Sequence, residues 1–183
     1  MEHKDIYKWV KSNIEPFKHS LHGKRYRCAA RLNDGLFLPC VTVCSAKSQT
    51  KLAIRRFDET RKDKTLHKSV GYQSIVRNFV TSGNRLNHYD ISELIVSDYA
   101  ISPSRIAEIG GETSMGWTEF YATMDDGKEF CFATSFHVEF FSMPEGYKAA
   151  NVNKIKPAVR GESRRCGPVC RERPFFECYI DNL

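Results

Sequence analysis

The sequence has no long apolar run. Its longest uninterrupted stretches are a few residues, as in Leu36-Phe37-Leu38, far short of the roughly 20 residues a membrane-spanning helix needs. The first residues, MEHKDIYKWVKSNIEP, mix charged and apolar side chains from the start, without the apolar centre that a secretory signal carries. There is no phosphate-binding glycine loop and no G-x-S-x-G elbow, so neither nucleotide hydrolysis nor serine-hydrolase chemistry has its usual sequence support. No helix-turn-helix, zinc-finger or RNP-like string occurs, and no internal repeat or low-complexity tract. The expectation is a cytoplasmic protein with no membrane partner.

Nor is there a dense, even cysteine framework of the kind that staples small secreted domains. The seven cysteines, at 28, 40, 44, 131, 166, 170 and 178, are odd in number and scattered. Cys28, Cys40, Cys44 and Cys131 fall in strand-like segments, where a reduced cysteine behaves as a small buried hydrophobe.

What is present suits one substantial core. With 183 residues, 41% apolar and 12% aromatic, the chain is long enough for one domain and short for two. Ile6, Trp9, Val10, Ile14 and Phe17 recur at helical spacing, with Pro16 stopping the helix near its end. Residues 25–32 and 36–44 flank Asn33-Asp34-Gly35 and read as a hairpin, and residues 51–57 read as a third strand. Residues 55–68, RRFDETRKDKTLHK, cannot bury a face and read as an exposed loop or ragged helix. Tyr72, Ile75, Val76, Phe79 and Val80 predict a second core-facing helix, ended by Ser82-Gly83.

After a strand over 91–101 comes a short helix with Ser102 as N-cap, Pro103 at its first position and Gly110 past its end. A second hairpin pairs residues 117–124 with 128–141 around Asp125-Asp126-Gly127. A two-residue Asp126-Gly127 loop sets Trp117, Tyr121 and Thr123 opposite Phe136, Phe132 and Phe130, with the three phenylalanines buried. The expected fold class is α+β, a twisted antiparallel β-sheet built from hairpins with two main helices packed on one face. Residues 1–148 form that domain, and 149–183 a basic, Pro- and Gly-containing tail that can end in a strand at 175–180.

Charge is distributed unevenly behind the net +6. Cations against anions count 16 to 7 over residues 1–70, 5 to 11 over 71–150 and 7 to 4 over 151–183. The densest exposed group is Lys51, Arg55, Arg56, Arg61, Lys62, Lys64 and Lys68, offset by Asp58, Glu59 and Asp63. A local excess of that sign steers anionic partners, so these seven residues are the expected binding surface. The partner is an acidic protein surface or a nucleic-acid backbone. Lys24, Arg25 and Arg27 on the first hairpin, interleaved with Tyr26, extend the nucleic-acid argument.

One other pattern carries chemistry. His137-Val138-Glu139 followed by Cys166 and Cys170 resembles the signature of zinc-dependent nucleobase deaminases, in which a His and two Cys hold the metal and a Glu moves the proton. The resemblance implies that His137, Cys166 and Cys170 would ligate zinc, with Glu139 as acid and base. The sequence departs from it at Arg165, where the signature has Pro, at Gly167-Pro168 between the thiols, and in the strand-like setting of His137. Two C-x3-C pairs, Cys40/Cys44 and Cys166/Cys170, offer a structural zinc alternative, but residues four apart in a strand lie roughly 13 Å apart, too far to share one ion. The preferred reading is a non-catalytic binding domain with no catalytic residue, metal or cofactor; the second is the deaminase-like enzyme.

Overall fold

The computed structural model describes residues 1–19, 23–62, 83–135, 137–159 and 168–181. In these the chain forms ten strands in two sheets and three α-helices. The helices are α1 (His3–Asn13), α2 (Ala46–Lys62) and α3 (Pro103–Ile106).

The first sheet is built on β2 (Gly23–Leu32) and β3 (Phe37–Ser45). On its outer side β2 pairs antiparallel with β1 (Phe17–His19) along its first half and with β5 (Ile91–Val96) along its second. Beyond β3 lie β10 (Phe176–Ile180) and then β4 (Arg85–Leu86), both pairings parallel. The second sheet runs β8 (Val152–Pro157), β6 (Thr118–Met124), β7 (Glu129–Thr134), β9 (Cys170–Arg171), with β9 parallel to β7. The stretch from 149 onward thus supplies strands to both sheets.

Both hairpins turn in the same way. Leu32 N–H donates to the Leu36 carbonyl at 2.8 Å and Met124 N–H to the Lys128 carbonyl at 2.8 Å. Each pair encloses a three-residue loop. Gly35 at φ +88° and Gly127 at φ +84° close the loops in the left-handed region, the combination of a type I turn with a glycine bulge. Asp34 and Asp126 each accept the N–H two residues on, from Leu36 at 2.9 Å and Lys128 at 3.0 Å.

The alternation of β2 and β3 gives the first sheet one apolar face and one polar face. Tyr26, Cys28, Val41, Val43, Cys178 and Ile180 lie in the core cluster that also holds Ile6 and Val10 of α1. The second sheet buries Phe120, Phe132 and Phe141, whose ring centroids lie 5.2 to 5.8 Å apart. Ala122, Met124, Ile155 and Ile106 complete that cluster.

Several expectations are corrected. One antiparallel sheet under two helices becomes two sheets with mixed pairing. Of the helices, α1 buries Ile6 and Val10, whereas no described side chain of α2 is buried. The third strand over 51–57 is the middle of α2, because Ala46–Lys62 is rich in Ala, Lys, Gln, Leu and Arg, which favour helix. Since the second hairpin has a three-residue loop, its register differs by one position from the expected one: Phe120, not Tyr121, opposes Phe132. A shift of one residue exchanges the faces of a strand.

Strand β7 ends at Thr134 rather than continuing to 141, since the Thr134 hydroxyl accepts from His137 N–H at 3.0 Å and donates to the His137 carbonyl at 2.6 Å. Phe132 is fully buried and Phe130 half-buried; Phe136 lies outside the described residues, and Phe140 and Phe141 are buried instead. The helix expected at 72–80 also lies outside them. Ser102 does cap α3, accepting from Arg105 N–H at 3.4 Å, with Pro103 at its start. No helix among the described residues is long and apolar enough to cross a membrane.

Candidate functional site

The expected basic surface falls on α2 and beyond it. At 3.6 residues per turn, Lys47, Lys51, Ile54, Arg55, Asp58, Arg61 and Lys62 occupy one face of the helix by position, within an arc of about 120°. Arg56 falls on the opposite face. Lys47, Lys51, Ile54, Arg55 and Asp58 are exposed. Five cations against Asp58 leave an excess of four on this face. Lys64 and Lys68 lie outside the described residues. The helix thus brings Lys51, Arg55, Arg61 and Lys62 onto one side, adds Lys47, and separates Arg56 from them.

The basic residues of the first hairpin have a different place. Arg25 and Arg27 are 4% and 3% exposed and project from the polar face of the first sheet into the protein. Across the sheet Arg25 lies beside Cys44, itself beside Tyr179; Arg27 lies beside Thr42, itself beside Glu177. Arg25 pairs with Glu139 at 3.2 Å and Glu177 at 3.0 Å, and the Tyr179 hydroxyl donates to Glu177 at 2.6 Å. Arg27 donates to the carbonyls of Glu139 at 3.1 Å and Ile101 at 2.6 Å, with Phe17 stacked on its guanidinium at 4.8 Å. Two arginines and two carboxylates balance in charge. This buried cluster ties β2 and β10 to the segment that follows β7, and it removes Arg25 and Arg27 from any nucleic-acid surface.

The same cluster claims Glu139 from the deaminase-like pattern. His137 is exposed, with Nδ1 3.7 Å from Glu139 Oε2, while the Glu139 side chain is 2% exposed and paired to Arg25. Residues 137–141 form no helix, which is the setting the deaminase signature requires. Cys170 sits half-buried on β9, its thiol pushed up by burial; Cys166 lies outside the described residues. No group of three or more His, Cys, Asp or Glu among the described residues is arranged to hold a metal ion.

Cysteine chemistry is muted throughout. Cys40 and Cys44 both lie on β3, and burial raises each thiol to about 11. Burial raises Cys178 to about 12 and Cys28 further in the same direction. A thiolate is the reactive form, so these groups are packing residues. Sequence reasoning missed the Arg25–Glu139–Glu177 cluster, although one signal was available: Arg25 and Arg27 alternate with Tyr26 and Cys28 in a strand, which puts both cations on a single face. Compared with protein-family models, curated proteins and solved structures, the chain matches none.

Proposed function

We infer that this protein is a non-catalytic binding domain that engages an acidic partner, a protein surface or a nucleic-acid backbone, through the basic face of α2. The observation that carries this reading is the exposed stripe Lys47, Lys51, Arg55 at positions i, i+4 and i+8 of a helix with no buried described side chain. Such a helix gains little from the core, and its cations are not spent on interior carboxylates as Arg25 is. A cytoplasmic setting, with nucleic acid and acidic proteins both at hand, fits this reading.

The field of that face weakens as salt shortens the screening length from about 10 Å at 0.1 M to about 3 Å at 1 M. Binding to a nucleic-acid duplex, followed across a salt series, should therefore fall linearly in log affinity against log salt. Lys51→Glu with Arg55→Glu should lower the affinity and flatten that slope, because fewer counterions are released. With an acidic protein partner the same pair should chiefly slow association. Salt-independent binding, or equal slopes for wild type and variant, would show that these charges only solvate the surface.

A further inference from the structure

A second, smaller site lies where the end of α1 meets the segment between β5 and α3. There a cavity of about 160 Å³ is walled by Ile14, Val96, Ala100 and Pro103, with Arg27 in its lining and Glu15 beside it. We propose that this cavity binds a small carboxylate with an apolar body, the anion meeting Arg27 and the body packing against the apolar wall.

Three observations support it. Arg27 is almost fully buried, yet its recorded hydrogen bonds go only to two backbone carbonyls. Its Nε has no hydrogen-bond acceptor among the described residues. Arg25, two positions earlier on the same face, takes two carboxylates directly. Arg27 takes none, and burial lowers it to about 10, the response of a cation that would gain from an anion close by. Size and lining set the rest of the ligand. An apolar cavity of about 150 Å³ accommodates benzene, so a six-membered carbon ring with one carboxylate matches the space and the single charge. Glu15 is exposed, and its charge acts on Arg27; it competes for the same cation, so removing its charge should favour the ligand.

Benzoate is the probe, with benzamide as the neutral counterpart of the same shape. Titration of the full-length protein, read by amide chemical shifts or calorimetry, should give saturable binding of benzoate and at least about tenfold weaker binding of benzamide, the size expected for losing a charged hydrogen bond. Glu15→Gln should tighten benzoate. Arg27→Met should abolish it. If Arg27→Met fails to fold, Ala100→Leu carries the test by filling the cavity while leaving the arginine in place. Saturable benzoate binding lost in Ala100→Leu supports the site. Absence of saturable binding to the wild type, equal affinity for benzamide, or benzoate binding unchanged by Ala100→Leu overturns it.

Discussion

Arg25 and Arg27 stand two positions apart on β2 and share a face, yet one is locked to two carboxylates and the other to two carbonyls. Removing a partner from a buried ion pair leaves an uncompensated charge and costs about 3–5 kcal/mol. Glu139→Ala should fall at the lower end, about 3 kcal/mol, because Glu177 still holds Arg25. Glu177→Ala should cost less, since the Glu177 side chain is 14% exposed against 2% for Glu139; denaturant midpoints rank the two. Phe132→Ala should cost about 3–5 kcal/mol, as Phe132 is fully buried between Phe120 and Phe141.

Cys178 gives a pH test with a definite sign. Its folded thiol lies near 12, above the ordinary 9.0, so the folded state keeps a proton that the unfolded chain releases. The stabilisation from this group is fully present below pH 9 and is lost as pH rises towards 12. The stability gap between wild type and Cys178→Ala should therefore narrow above pH 9. A gap that widens there would contradict the burial of this thiol.

At the scale of elements, turn chemistry decided more than periodicity. Asp34-Gly35 and Asp126-Gly127 mark both reversals in the sequence, and both hairpins form. Loop length was not legible from these dipeptides alone, because Asp-Gly serves a two-residue turn as well as the closing half of a three-residue one. The one-residue difference exchanged Phe120 for Tyr121 in the core. Gly127→Ala should cost about 1–2 kcal/mol from the left-handed backbone alone, since an added Cβ would meet nothing within 4 Å; thermal unfolding reads this directly. In α2, Leu52 and Ile54 alternate in a way that suggested a strand, but a short alternation carries less weight than a run of good helix formers. The seven predicted basic residues were found by composition, whereas their division between two faces, Arg55 on one and Arg56 on the other, needed the helix.

For the whole molecule, the least legible feature was the use of the C-terminal stretch. Strand β10 lies between β3 and β4, more than 130 positions after β3 in the chain, and no local pattern reports so distant a pairing. A parallel strand also lacks the hairpin turn that announces an antiparallel one. The charge asymmetry was visible in the sequence, but its two destinations were not: cations in β2 enter the protein and meet the carboxylates of residues 139 and 177, while those of α2 remain outside. Removing residues 168–183 would delete Glu177, Cys178 and Ile180 from the first sheet, so the shortened chain should lose its cooperative thermal transition.

The division between buried, balanced cations and an exposed basic helix face is tested most directly by two neighbouring charge reversals. Arg55→Glu and Arg56→Glu make the same change in net charge at adjacent positions, on opposite faces of α2. Their affinities for one nucleic-acid duplex or one acidic protein partner, measured side by side with wild type at low salt, should differ: Arg55→Glu weakens binding and Arg56→Glu leaves it near the wild-type value. Equal loss in both variants, or no loss in either, would contradict the assignment of this face as the binding surface.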